Sequence, residues 1–161
     1  IIDFKTLDTA VDIRARLDAA AARKDDREFF RTLAFEKLEQ YRKDQALMRL
    51  LLFSALEGHE LSDIFFESTM REIRGNVRLY IRQRTNDGAF REIDPDVCTR
   101  AFMGMVIHQA QVRILHGDTD DVKRSSQEIA DSFVEIFING ITKGETAPLE
   151  RAARSSDAPS I

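Results

Sequence analysis

The chain has no tryptophan, one cysteine, three prolines and seven glycines in 161 residues. A lone Cys98 excludes an intrachain disulfide and fits a reducing compartment, so a cytoplasmic protein is expected. The longest apolar run, Leu50 to Phe53 with its neighbours, falls far short of the roughly 20 residues that a membrane span needs. Positive charge is not in excess: 24 Lys and Arg against 28 Asp and Glu leave a net charge of −4. That balance argues against this segment itself gripping a polyanion. There is no Gly-rich phosphate loop, no CxxC pair, and no Ser or Cys in a nucleophile's setting, so no enzymatic activity and no cofactor are expected. No charged-then-apolar leader opens the sequence. It begins at Ile1–Ile2, and we expect a segment that starts inside a longer protein.

What is present describes a single globular domain. Apolar residues make up 43% and charged residues 32%, an ordinary balance for a folded chain of this length. Eleven Phe and four Met supply bulky, shapeable apolar surface. Scarce Gly and Pro, with no strictly alternating run, exclude a sheet and leave about six helices. The first spans about Leu7 to Ala22. The second, about Asp26 to Lys43, sets Phe29, Phe30, Leu33, Leu38 and Tyr41 at helical spacing, after an Asp25 or Asp26 cap. A third follows Asp44 and stops at Gly58; its apolar density predicts the most buried helix. The fourth runs from about Glu60 to Asn86, with Phe66, Met70, Ile73, Val77, Tyr80 and Ile81 inward and Arg71, Arg74, Arg78 and Arg82 largely outward. Gly88 suits its C-terminal turn.

Asp94-Pro95 reads as a cap and first-turn proline opening the fifth helix, up to His116. Ser125-x-x-Glu128 has capping-box spacing for the sixth, which runs to Ile141. Residues 1–143 are thus expected to form one helical domain, and 144–161 a flexible tail.

The last two helices carry more apolar surface than one side can use. A surface helix needs an apolar stripe of about 100°. On the fifth, only a narrow strip with Arg100, Gly104, His108 and Gln111 stays polar. On the sixth, Ile129, Phe133, Val134, Ile136, Phe137, Ile138 and Ile141 span roughly 200° of the wheel. A second subunit explains the surplus best. Gly104 in mid-helix costs about 1 kcal/mol relative to Ala, and close approach of another helix would offset that. Arg100, Gly104, Ile107, Gln111, Phe133, Phe137 and Ile141 are therefore expected at a dimer interface.

Phe30, Phe53, Phe65, Phe66, Met70, Tyr80, Phe102 and Met103 are the residues expected to line any ligand cavity, although aromatic stripes at this spacing are most often plain core. His108 reads as a satisfied structural histidine or as a ligand contact. Gln109 and Arg113, one turn apart, either fix a ligand's orientation or face solvent. His59-Glu60-Leu61-Ser62-Asp63 resembles the opening of a zinc-protease helix but has Asp63 where the second His belongs, so no metal is expected.

Three stretches together resemble TetR-family transcriptional regulators. They are Leu47 to Gly58, Gly88 to Asp96 leading into Ala101 to His108, and Glu128 to Ile141. The resemblance implies an all-α, six-helix TetR-type C-terminal bundle, the last two helices forming a four-helix bundle with a partner's pair. It implies a repressor domain that homodimerises and binds a small, apolar or aromatic effector, releasing operator DNA by tilting its first helix. The family's helix-turn-helix is not in this sequence, so DNA contact would belong to a parent chain. The alternative is a structural or adaptor helical dimer with no ligand cavity.

Overall fold

The computed structural model describes residues 4–65, 71–117 and 124–143, with side chains described from residue 12 onward except at 61, 62 and 65. The described residues are helical almost throughout: α1 (Phe4–Ala22), α2 (Asp26–Lys43), α3 (Gln45–Leu56), α4 (Glu60–Phe65), α5 (Arg71–Asn86), α6 (Pro95–His116) and α7 (Ser126–Ile141). The helix expected from Glu60 to Asn86 is helical at both ends, as α4 and α5; its middle, with Phe66 and Met70, lies outside the described residues. So do the loop expected at 118–123 and the tail expected at 144–161.

Local chemistry sets the boundaries. Asp25 accepts from the Glu28 amide and Asp44 from the Leu47 amide, so two aspartates satisfy amides that the first turns of α2 and α3 leave free. Asp94 caps α6 through the Asp96 and Val97 amides, with Pro95 in the first turn. Ser125 and Glu128 form the complete reciprocal capping box of α7. Gly88 adopts φ 78° after α5, a left-handed turn that other residues resist.

Helix α2 is central and packs most heavily on α7, then on α1 and α6, while α5 lies against α6. Phe30, Phe102, Met103, Val106, Ala130 and Ile81 are the fully covered centre of the core. An isolated bridge between Phe90 and Thr142 ties the α5–α6 crossing to the end of α7. There the Arg91 amide donates to the Ile141 carbonyl at 2.9 Å and the Lys143 amide to Ala89 at 3.1 Å.

Helix α3 corrects an expectation. It is not the most buried helix: only Leu51 and Ser54 are buried, while Leu47, Leu50, Phe53 and Leu56 are exposed. The physical reason is position. Apart from its neighbour α4, α3 makes only sparse contact, with α2 and α6, so one side of an all-round apolar helix is covered and the rest is not.

Candidate functional site

Four features could carry function. The first is the aromatic centre. Phe30 meets Phe29 at 5.3 Å, Tyr80 at 6.0 Å, and Phe102 and Phe137 at 4.9 Å each, all edge-on. Phe29 stacks on Tyr80 at 4.0 Å. Of the residues expected to line a ligand cavity, Phe30, Tyr80, Phe102 and Met103 are thus brought together between α2, α5 and α6, packed on one another. Phe53 is elsewhere, 65% exposed on α3. His108 is exposed on α6.

The second feature is a polar knot at the edge of that centre, which sequence reasoning missed. The Arg84 guanidinium donates to both oxygens of Asp26, at 2.7 and 3.0 Å, and to Asp87 at 2.8 Å. The Tyr80 hydroxyl donates to Asp26 at 2.7 Å, and Lys24 reaches Asp87 at 3.1 Å. Burial first, then the bonded Asp26 carboxylate, pushes the Tyr80 hydroxyl well above its usual range. Hydrogen bonds from Lys24 and then Arg84 hold the Asp87 carboxyl below its usual range. The knot fastens the α1–α2 turn to the end of α5. Asp26 and Arg84 stand 58 residues apart, so the only sequence signal was an arginine out of step with the outward-facing row on α5.

The third feature is a crevice of about 10 Å³ between α2, α6 and the start of α7. Its apolar border includes Leu38, Ala110, Ile114 and Ile129, and its polar border Tyr41, Gln109, Arg113 and Ser126. Gln109 and Arg113 are both half-buried here, and neither points freely to solvent. Ser126 donates to Glu39 at 2.6 Å. Arg42 also holds Glu39, at 2.8 Å. The Arg42 and Ser126 bonds together pull the Glu39 carboxyl down to about 2.

The outer surface of the last two helices is the remaining candidate. On α6, Val97, Ala101, Gly104, His108 and Leu115 fall within about 60° of one another on the wheel, and all five are exposed. Among the described residues nothing approaches the Gly104 Cβ direction within 4 Å. On α7, Phe133, Ile136 and Gly140 share a similar arc; Ile136 is 64% exposed, Phe133 half-buried and Gly140 open. Of the residues expected at an interface, Arg100 and Gly104 are exposed and Ile107, Gln111 and Phe133 half-buried. Phe137 packs on Phe30 and Phe102, and Ile141 is buried at the bridge to the α5–α6 crossing.

Among the described residues no cluster of three or more His, Cys, Asp or Glu side chains is disposed to hold a metal. His59, singled out by its sequence setting, is exposed just before the short α4. Burial raises the Cys98 thiol above its usual range. No described helix is long and apolar enough to cross a membrane.

Residues 33–140 match the family model described as AefR-like transcriptional repressor, C-terminal domain, a TetR-class domain. The chain belongs to this family. No curated protein and no solved structure matches it. The match runs from the middle of α2 to the penultimate residue of α7. The crevice and the outer arc of α6 and α7 therefore lie in the matched region, as do Tyr80, Phe102, Met103 and Phe137 of the aromatic centre; Phe29 and Phe30 lie just before it, with the α1–α2 side of the polar knot.

Proposed function

We propose that the chain is the regulatory domain of a TetR-type repressor, pairing with a second copy through the outer arcs of α6 and α7 and taking a small effector inside. The observation that carries the pairing is the arc from Val97 to Leu115. It is apolar apart from His108, open along its length, and centred on a glycine. A mid-helix glycine costs about 1 kcal/mol against alanine. No atom of the described residues takes advantage of the space at Gly104. A partner helix seated there would, and a twofold axis would place the same patch on both sides. Arg100, Ile107, Gln111 and Phe133 then border the contact.

Effector sensing is supported by the family and by the polar groups gathered at the crevice. A small molecule needs roughly 300–1,000 Å³, against about 10 Å³ in the crevice. Binding therefore requires α2 and α6 to part, which makes occupancy and conformational change one event. The effector acts only by its preference for the parted form. DNA recognition belongs to the parent repressor's helix-turn-helix.

Light scattering coupled to size exclusion tests the pairing. A mass of two chains at tens of micromolar is expected, and a single-chain mass at that concentration contradicts the proposal. An unchanged single domain with no partner would leave only the reading of a structural helical module.

A further inference from the structure

A lysine interrupts the buried face of α2. Phe30, Leu33, Ala34, Lys37 and Tyr41 fall within about 100° of one another on the wheel, with Lys37 near the middle. The other four are at most 4% exposed, and Lys37 itself is half-buried. Its ammonium donates to the Gln40 side-chain oxygen at 2.9 Å. That neutral acceptor satisfies one N–H and offsets no charge. Among the described residues no carboxylate pairs with Lys37. The two glutamates that flank it on α2 are engaged elsewhere, Glu36 with Arg16 at 2.7 Å and Glu39 with Arg42 at 2.8 Å. Burial pushes the Lys37 ammonium below its usual range. A charge drawn out of water is ordinarily matched by one of opposite sign. Here that match is missing.

The position of Lys37 connects it with the function proposed above. Tyr41, one turn along α2, borders the crevice against α6. Phe30, two turns back, packs on Phe102 of α6. Lys37 thus stands between the crevice and the aromatic centre, on the face of α2 that is uncovered when α2 and α6 part. The charge that acts on Tyr41 from α5 is Arg74, again positive. One ammonium matches one negative charge, which a carboxylate supplies, and the apolar residues along the same face suit hydrocarbon.

We propose that Lys37 anchors an anionic effector, its ammonium pairing with the carboxylate of a small organic acid whose apolar body lies along the inner face of α2 against Phe30 and Ala34. The proposal rests on the effector-sensing part of the function proposed above. Its plain competitor is a snorkelling lysine, whose stem covers Leu33 and Ala34 while the ammonium stays in water.

Calorimetry on the full chain compares two sodium salts, decanoate and phenylbutyrate, with decan-1-ol and phenylbutanol, all below any micelle concentration. At least one acid is expected to bind at least tenfold tighter than its alcohol. Lys37→Met keeps the stem and removes the charge, so it should bring that acid to the level of its alcohol and leave the alcohol unchanged. Lys37→Arg should keep the preference. In thermal unfolding, ligand-free Lys37→Met should equal or exceed the Tm of the unsubstituted chain, because no ion pair is lost. A preference for the acid that survives Lys37→Met would place the anion elsewhere and overturn the proposal. A lowered ligand-free Tm would show that the ammonium is already compensated, and would overturn it too. Acids and alcohols binding alike would leave effector sensing standing but sink the charge assignment. A dimeric chain that binds none of the four would sink both.

Discussion

Arg84 makes three hydrogen bonds to two carboxylates while only 11% of its side chain reaches solvent. Removing one partner of a covered ion pair strands the other, which typically costs 3–5 kcal/mol when burial is complete. Asp26 keeps 17% of its side chain exposed, so Arg84→Ala should lower stability by about 2–3 kcal/mol, read as a shifted urea midpoint. A change under 0.5 kcal/mol would mean that the knot does not hold the α1–α2 turn. Glu39 gives a pH signature. Its carboxyl sits near 2 in the folded chain against 4.5 otherwise, the Arg42 bond being the largest cause. A depressed folded value means that the contribution is complete above pH 4.5 and is lost as pH falls from there toward 2. Arg42 is half open to solvent, so the loss should be modest, about 1 kcal/mol. Glu39→Gln should flatten the pH dependence of the urea midpoint in that window, and an unchanged slope would refute the assignment. Neither group was legible in the sequence as a partner: Glu39 meets Ser126 across 87 positions and Arg84 meets Asp26 across 58. Pairings of that kind exist only once helices are docked.

Helix ends were legible because their chemistry is local. Asp25, Asp44, Asp94-Pro95 and Ser125-x-x-Glu128 each act within four residues, and each bounds the helix that it was expected to bound. Ser125→Ala should cost about 1 kcal/mol in thermal or urea unfolding; no effect would show that the α7 start is held by packing alone. Burial of whole helices was less legible. In α3 apolar residues point in every direction, so the sequence could not say which side the bundle would cover. Leu51→Ala should cost about 2–3 kcal/mol, whereas Leu50→Lys, on an exposed position, should stay within about 0.5 kcal/mol. Reversal of that order would show that the outward side of α3 is covered in the working protein. On α6 the sequence foresaw apolar surplus but not its division. Phe102, Met103 and Val106 went to the chain's own core, and the arc through Gly104 stayed outside.

For the whole molecule, the fold class and the family follow from patterns that survive in one dimension: six strongly periodic helical stretches, their order, and the family match over 33–140. The site does not. Tyr41 read as one more inward aromatic on α2, and only docking against α6 brings it to a crevice beside Gln109 and Arg113. The central claim is that the outer arcs of α6 and α7 cover one another between two copies. It separates two exposed apolar surfaces, the arc at Gly104 and the outward side of α3 at Leu50. Sedimentation equilibrium on Gly104→Glu and Leu50→Glu, with helicity checked by circular dichroism, tests this most directly. A folded single-chain mass for Gly104→Glu alongside a two-chain mass for Leu50→Glu is the expected result; a two-chain mass for Gly104→Glu, or dissociation by Leu50→Glu alone, would contradict it.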